Sequence, residues 1–311
     1  MNPLDYSFPR YLAAKKSVDD RALNQGVWEA FGKILASQAA DAPLKILEIG
    51  AGIGVMLERM LEAGLLHHVQ YLALDAEVDH TSHGRQRLRR WAQERGCLVS
   101  ESEDEMVLRA AGQTVTIRFE TADVFEFCRR QGASRSWDVL VAHAFLDLVD
   151  LSTALPKIFS LLKEGGFFYF TINFDGLTAL EPVIFPDLDA RLLELYHHSM
   201  DARRIEGRHA GDSRAGRHLF TALPQAGGHI LAAGASDWVI FPRQGVYPVE
   251  EAYFLHFIVH FFEESLRGHP ALDPQCFSAW IAERHAQIER GELVYIAHQI
   301  DFLGQVHPFK K

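Results

Sequence analysis

Short apolar runs followed by amphipathic stretches recur along the first half of the chain. The clearest run, Leu44–Ile49, is typical of a strand that is buried on both faces. Three glycines follow at alternate positions, and apolar side chains then recur at helical spacing as far as Gly64. The pattern predicts a strand, a glycine turn and a helix, which together bring bare backbone against a ligand at a helix N-terminus.

The same alternation continues to about residue 175. Apolar runs at 69–75, 139–142 and 167–172 are predicted strands, and each ends at a polar or glycine-containing segment. Residues 106–120 alternate about a glycine turn, which predicts a hairpin whose second arm is a further strand. Strands that alternate with helices predict an α/β fold with a mostly parallel, doubly wound sheet.

The flanking segments are largely helical by pattern. Residues 1–43 contain two predicted short helices, and a Ser-x-x-Asp sequence that starts at Ser17 resembles a capping box opening the second one. Beyond residue 175, strands are predicted near 237–241 and 294–303, and two amphipathic helices lie between them, within 247–290. We expect three parts: an N-terminal helical lid (1–43), a ligand-binding core (44–175) and, in the same domain, the rest of the sheet with helical cap insertions (176–311).

Composition and charge limit the classes of partner that the chain is expected to bind. The chain has 311 residues and a formal net charge of −10, which argues against binding to a nucleic-acid backbone. Three widely spaced cysteines form neither a disulfide framework nor a metal-ligand pattern. The first residues lack the apolar core of a signal peptide, and the most apolar stretch, 252–262, is too short to span a bilayer. A cytoplasmic protein without membrane contact is expected, and the sequence specifies no oligomeric state.

The residues around the glycine turn indicate which class of ligand it binds. A dinucleotide-binding turn would follow the pattern G-x-G-x-x-G/A, but here Val55 stands at the last position and the final glycine has moved to Gly54. Glu48, at the tip of the preceding strand, would repel a pyrophosphate and attract a cation. S-adenosylmethionine carries an ammonium and a sulfonium and has no phosphate.

The sequence E-I-G-A-G-I-G, from Glu48 to Gly54, resembles the first motif of class I S-adenosylmethionine-dependent methyltransferases. L-L-K-E-G-G before the strand at 167–172 is similar to a later part of the same family, and the resemblance covers roughly 44–175. It implies a seven-stranded, mostly parallel sheet, S-adenosylmethionine as cofactor and S-adenosylhomocysteine as product. It also implies in-line methyl transfer to a small-molecule oxygen or nitrogen, with catalysis mainly by positioning.

The resemblance also assigns roles to residues. The glycine turn and the strand ends would hold the cofactor, through Glu48, Gly50, Ala51, Gly52, Gly54, Asp75, Ala76, Asp123 and Val124. Asp75 stands about 20 residues beyond the turn, where a carboxylate accepts from ribose hydroxyls, and Asp123 would accept from the adenine amino group. Asp123 is equally placed to cap the helix that follows it.

His143 is the one candidate catalytic residue, because the fold brings the end of its strand near the methyl group. Contact with the cofactor or the substrate is expected of it more than action as a general base. In the lid, Tyr11 and Arg21 are candidates to meet the methionine carboxylate or an acidic substrate. No N-P-P-Y-type tetrapeptide follows the strand, which also favours a small-molecule acceptor over a nucleic acid.

The other histidines and aromatic residues suit structural roles better. His256 and His260 are spaced for a metal, but Phe257 replaces the glutamate of an H-E-x-x-H motif, so no metal site is predicted. His80 and His83 are interpreted as surface or cap residues. The aromatic residues of 253–262 are expected to pack between helices rather than to line an acceptor pocket.

Three other functions remain open on the sequence alone. The chain could bind S-adenosylmethionine or S-adenosylhomocysteine without turnover. It could resemble the aminopropyltransferases of the same fold, although the strand exit has a single acid, Asp147, where a polyamine would need an acidic pair. A nicotinamide-dependent oxidoreductase is opposed by Val55 and Glu48.

Overall fold

The computed structural model describes residues 6–38, 42–110, 113–205 and 207–307. The strands of these segments, in chain order, are β1 (Leu44–Ile49), β2 (His68–Asp75), β3 (Leu98–Glu101), β4 (Met106–Ala110), β5 (Gln113–Thr121), β6 (Trp137–His143), β7 (Leu162–Glu181), β8 (Arg204–Ile205), β9 (Arg208–His209), β10 (Gly228–Ala235), β11 (Trp238–Ile240) and β12 (Val294–Val306). The helices are α1 (Phe8–Ala22), α2 (Gln25–Ser37), α3 (Val55–Glu62), α4 (Val78–Glu94), α5 (Val124–Gln131), α6 (Leu151–Phe159), α7 (Pro186–Asp201), α8 (Ala215–Gln225), α9 (Glu251–Leu266) and α10 (Pro274–Glu289).

Seven strands form the predicted sheet, in the order β5-β2-β1-β6-β7-β12-β10. The first five are parallel, and β12 runs antiparallel between β7 and β10. The predicted hairpin adds β4 antiparallel to β5, and β3 follows as one further strand. The glycine turn of that hairpin, residues 111–112, lies outside the described residues. The predicted mostly parallel, doubly wound α/β sheet is confirmed.

The strand at the edge of the sheet, beside β12, differs from the predicted one. A strand does form within 237–241, but it is the short β11, which pairs with the first part of β12. The edge position belongs to β10, which pairs with the second part of β12. Its sequence, GHILAAGA, is rich in glycine and alanine, residues with weak strand propensity, and one of its two faces is exposed. The pattern therefore gave little indication of a strand there.

Helices cover both faces of the sheet. On one face α5, α6 and α8 bury residues such as Phe127, Ile158 and Leu219 against the strands. On the other face α2, α3 and α4 bury residues such as Phe31 and Met56. Each fully buried large apolar side chain contributes about 1.5–3 kcal/mol to folding. The glycine turn after β1 is thereby held between two packed layers.

The N-terminal helices divide at a different place from the predicted one. α1 continues through Ser17 and Asp20 to Ala22, and Ser17 donates a hydrogen bond to Glu251 on α9 instead of capping a helix. The side chain of Asn24 accepts from the backbone N–H of Val27 and so caps α2. Residues 1–5 and 39–41 of the predicted lid lie outside the described residues.

α7, α9 and α10 form the predicted helical cap. Asp189 on α7 joins it to α10, because its carboxylate accepts from Arg284 at 2.8 Å and from the Trp280 indole. The same cap shares one apolar core with α1 and β11, which includes Val18 and Phe254. The cap, the lid helix α1 and the sheet are consequently one packed body. No helix of the described segments is both long and apolar enough to cross a membrane.

Candidate active site

A cavity of about 1070 Å³ lies at the carboxyl ends of the parallel strands, where α1 and the cap enclose it. Ligands of open α/β sheets bind at this edge, outside the strand ends where the strand order reverses. Most of the predicted site residues line the cavity, namely Tyr11, Glu48, Gly50, Ala51, Gly52, Asp75, Ala76, Asp123, Val124 and His143. Gly54 and Arg21 do not.

The glycine turn presents its backbone to this cavity. Gly50 and Gly52 have φ of +64° and +54°, a region that residues with a Cβ rarely adopt. A Cβ at Gly50 would stand 2.5 Å from the Phe145 ring. Gly54 serves a different purpose, since it adopts φ of +75° as the N-cap of α3. The turn therefore brings main chain, rather than side chains, to the ligand.

Glu48 is buried at the tip of β1 with few donors. Its carboxylate accepts from the Tyr71 hydroxyl at 2.7 Å, and its exposure is only 1%. Burial raises the pKa of Glu48 to about 8, although the Tyr71 hydrogen bond and the Arg59 cation act in the opposite direction. Such a carboxylate gains stability when a cation is placed beside it.

Asp75 ends β2 and holds the glycine turn in place. Its Oδ2 accepts from the backbone N–H of Gly52 at 2.7 Å, and its Oδ1 accepts from that of Glu77 at 3.0 Å. Nδ1 of His80 lies 3.0 Å from the same Oδ1. The hydrogen bond to Asp75 raises the pKa of His80. His80, interpreted from the sequence as a surface or cap residue, therefore lines the cavity and contacts the carboxylate that is the candidate to bind the ribose.

Asp123 follows β5 and caps α5. Its Oδ1 accepts from the backbone N–H groups of Phe125 and Glu126, at 2.9 and 3.0 Å. Val124, the first residue of the helix, is 7% exposed and presents an apolar surface beside it. The capping function expected from the sequence is therefore present, and the side chain still reaches the cavity.

His143 belongs to a buried cluster that links the lid to the sheet. Asp19 on α1 accepts from Lys15 at 2.6 Å and from the Trp238 indole at 2.8 Å. The Asp19 carboxylate also lies 2.8 Å from Nε2 of His143, whose Nδ1 lies 2.8 Å from the Thr171 hydroxyl. Burial opposes ionisation of Asp19, but Lys15 and His143 outweigh it and hold the pKa of this carboxyl well below its usual range.

The cluster engages both ring nitrogens of His143. Burial and the Lys15 cation lower the pKa of His143 to about 4, so the ring is neutral at pH 7. A neutral ring that donates from Nε2 to Asp19 accepts at Nδ1 from Thr171. Neither nitrogen is then available to remove a proton from a substrate. Sequence reasoning missed Asp19 and Trp238, because only tertiary packing brings them to the strand end.

The two candidate residues of the lid, Tyr11 and Arg21, lie in different surroundings. Tyr11 lines the cavity and stacks on Phe257 with ring centroids 4.6 Å apart. Arg21 points away, and its guanidinium donates to both oxygens of Glu251, at 2.6 and 2.9 Å. Arg21 thus holds α1 to α9 instead of facing the ligand.

Both α9 histidines that are spaced for a metal pack against neighbouring rings. His256 and His285 bring their Nδ1 atoms within 2.8 Å of each other between α9 and α10, and His260 stacks on Tyr6 at 3.9 Å. Of the aromatic residues in 253–262, Phe261 lines the cavity and the others pack in the cap core, mostly as expected. In the parts of the chain that the structure describes, no group of three or more His, Cys, Asp or Glu is arranged to hold a metal ion.

No protein-family model matches the sequence, and no curated protein is significantly similar to it. Solved structures of similar fold include an S-adenosylmethionine-dependent methyltransferase from Thiobacillus denitrificans, in complex with S-adenosylhomocysteine. It is 12% identical, with a TM-score of 0.45, over 97% of this chain and 100% of that one.

Two further structures are similar at the same level. Phosphoethanolamine N-methyltransferase 2 from Haemonchus contortus is 11% identical, with a TM-score of 0.42, over 98% of this chain and 59% of that one. Geranyl diphosphate C-methyltransferase from Streptomyces coelicolor is 10% identical, with a TM-score of 0.40, over 89% and 80% of the two chains. The fold assignment given above rests on strand order and register.

Proposed function

We propose that this chain is an S-adenosylmethionine-dependent methyltransferase that acts on a small molecule. One observation carries the proposal: a single cavity collects a carboxylate from each of three strand ends, Glu48, Asp75 and Asp123, around a glycine turn. Each carboxylate has a counterpart on the cofactor, in the order ammonium, ribose hydroxyls and adenine amino group. A nicotinamide dinucleotide would place a pyrophosphate beside Glu48, whose side chain supplies no positive counter-charge.

The residues present fit this cofactor. Glu48 is a buried carboxylate with one side-chain donor, so an ammonium would relieve its burial. Asp75 would bind the ribose with the acceptor capacity that Gly52, Glu77 and His80 leave on its two oxygens. Asp123 and Val124 would hold the adenine from its amino edge and its face. The backbone of Gly50 and Gly52 leaves room for the methionine portion.

The cavity also has space for an acceptor. Pockets for one small ligand measure about 300–1,000 Å³, and this cavity of about 1070 Å³ reaches beyond that range. It is enclosed by α1 and the cap, and the chain carries a net charge of −10. Both features favour a small acceptor over a nucleic acid.

The bound cofactor supplies a methyl group that its sulfonium already activates. The chain's own residues then have to align the acceptor, exclude water and keep the reacting atoms close. We assign His143 to positioning, because its ring nitrogens hold Asp19 and Thr171 at the end of β6. Catalysis by positioning agrees with the absence of a free base at His143.

The test is a turnover assay. The protein is incubated with S-adenosyl[methyl-³H]methionine and a panel of small amines and alcohols, and both S-adenosylhomocysteine and labelled product are measured. Acceptor-dependent formation of both supports the proposal. Tight binding of S-adenosylhomocysteine without turnover of any acceptor would instead favour a non-catalytic binding protein.

A further inference from the structure

Part of the cavity wall consists of residues that the proposed cofactor contacts do not use. Aromatic side chains from α1, β7, α7, β11, α9 and β12 line this part, namely Tyr11, Phe174, Tyr196, Trp238, Phe261 and Tyr295. Tyr196 stacks on Phe262 at 4.0 Å, and Tyr11 stacks on Phe254 at 5.5 Å. The rings are therefore held by the cap core, and they offer a rigid apolar surface.

Asp147 and Asp19 are the acids beside these rings, and Asp19 is already paired with Lys15 and the Trp238 indole. Asp147 lies on the short 3-10 turn Leu146–Leu148, directly after β6. Its backbone carbonyl accepts from the N–H of Asp212 at 3.1 Å, which fixes the turn. Its Oδ1 atom is buried and has no hydrogen-bond partner among the described residues. Buried carboxylate oxygens are almost always paired, so a donor from outside the chain is indicated.

The charges around Asp147 do not satisfy it. Burial raises the pKa of Asp147 to about 6, against the effects of its own backbone N–H and of the Lys15 and Arg203 cations. Lys15 donates to Asp19 instead, and Arg203 is exposed. Asp212 adds a second negative charge nearby.

Acids also outnumber bases around the whole cavity. The acids that line it are Asp19, Glu48, Asp75, Glu77, Asp123, Glu126, Asp147 and Asp150, and the bases are Lys15, Arg129, Lys157 and Arg203. A cationic ligand is favoured in such a field, and an anionic one is not.

We propose that the methyl acceptor is a small amine with an apolar or aromatic body, and that Asp147 binds its ammonium group. This inference rests on the proposed methyltransferase function. A half-buried carboxylate with one unpaired oxygen is compensated better by a cation than by a neutral hydroxyl. The aromatic rings attract the same cation through their faces and cover the apolar body of the ligand. One site thus accounts for both the orphan oxygen and the ring-lined wall.

The reaction balances with Asp147 as the first proton acceptor. The ammonium loses one proton to the Asp147 carboxylate and becomes a neutral amine. The nitrogen lone pair forms the new N–C bond, while the electron pair of the S–C bond passes to sulfur, which leaves as a thioether. Asp147 then returns its proton to solvent.

The test measures binding of amines to the protein saturated with S-adenosylhomocysteine, by calorimetry at pH 7. The probes are 2-phenylethylamine and a series of longer phenylalkyl- and alkylamines, each paired with the alcohol and the carboxylate of the same skeleton. We expect amines to bind and the matched carboxylates not to bind. Asp147→Asn should weaken amine binding about 10–100-fold, the range for a hydrogen bond to a charged group, and leave S-adenosylhomocysteine binding unchanged.

Asp187→Asn is the matched control, since Asp187 is an exposed acid on α7 outside the cavity. It should bind amines as the wild type does. The inference is overturned if no amine binds the S-adenosylhomocysteine complex, if alcohols or carboxylates bind better, or if Asp147→Asn changes nothing. Failure of S-adenosylhomocysteine itself to bind is a different result, and it overturns the proposed function together with this inference.

Discussion

At the scale of single residues, the partners of Asp19 and of Glu48 explain why their pKa values shift in opposite directions. Asp19 has three partners and a lowered pKa, whereas Glu48 has the Tyr71 hydroxyl and a pKa raised to about 8. The partners of Asp19 offset the cost of removing its charge from water, whereas Tyr71 offsets little of that cost for Glu48. Glu48, which has few partners, is therefore a carboxylate that a cationic ligand would stabilise.

Asp75 gives the first prediction at this scale. Asp75→Ala should weaken S-adenosylhomocysteine binding by about 1–3 kcal/mol, because the ribose would lose a hydrogen-bond acceptor. Calorimetric titration measures the change. Asp79→Ala is the control, since Asp79 is exposed on α4 and does not line the cavity. An unchanged dissociation constant for Asp75→Ala, with the control also unchanged, would remove Asp75 from the ribose site.

Glu48 gives a prediction on pH. The free protein holds a proton on Glu48 up to pH 8, and a bound ammonium should displace it. Affinity for S-adenosylhomocysteine should therefore rise between pH 6 and 8, by up to about tenfold per pH unit. The same raised pKa makes the unliganded protein lose stability as pH rises from 4.5 to 8, because only the unfolded chain has lost that proton.

Titration in buffers of different ionisation enthalpy measures the proton released on binding. Asp147 and His80 also line the cavity, and Asp147 has a pKa near this window. The diagnostic variant is consequently Glu48→Gln, which should bind with little pH dependence. A wild-type pH profile retained in Glu48→Gln would assign the proton to another group.

Sequence alone predicted the site residues that lie at strand ends. Glu48, Asp75 and Asp123 follow apolar runs, and parallel strands bring their carboxyl ends to one edge. Asp19 and His80 could not be found in this way. Each reaches the cavity only because its helix, α1 or α4, packs at a particular angle, and no local pattern encodes that angle.

At the scale of elements, α1 is a wall of the cavity with a polar anchor. Asp19 of α1 accepts from Lys15 and contacts the ring of His143, and Arg21 joins the end of α1 to α9. The sequence predicted a helical lid but divided it at Ser17. Asn24, which caps α2, was an equally good capping residue, and the buried face of α1 runs unbroken past Ser17.

A substitution of Asp19 tests whether its contacts with Lys15 and His143 hold α1 in place. Asp19→Ala should lower the free energy of unfolding by about 3–5 kcal/mol, because it leaves the buried Lys15 without a counter-charge. Denaturant unfolding measures the change. Glu29→Ala, an exposed acid on α2, should stay within about 0.5 kcal/mol of the wild type. A loss for Asp19→Ala no larger than that of the control would mean that the Asp19 hydrogen bonds do not hold α1 in place.

At the scale of the whole molecule, the cap and the sheet share one core. The cap helices bury their apolar faces against α1 and β11, so they are not an independent unit. Helix periodicity predicted both helices within 247–290. It could not predict that β10 takes the edge of the sheet, because a glycine- and alanine-rich strand is specified by its neighbour β12 more than by its own residues.

A substitution of Asp189 tests whether the cap and the sheet unfold together. Asp189→Ala leaves the Arg284 guanidinium buried without its acid, and should cost about 3–5 kcal/mol. We expect one cooperative unfolding transition with a lower midpoint, observed alike by circular dichroism and tryptophan fluorescence. Asp187→Ala, on the same helix but exposed, should leave the midpoint nearly unchanged. Two separate transitions in Asp189→Ala would show that the cap unfolds alone.

Calorimetric titration with S-adenosylhomocysteine, with NAD as the control ligand, measures directly whether the strand-end cavity holds S-adenosylmethionine. We expect saturable one-to-one binding of S-adenosylhomocysteine and none of NAD at the same concentrations. Binding of NAD in place of S-adenosylhomocysteine would contradict this expectation, since Glu48 would then face a pyrophosphate.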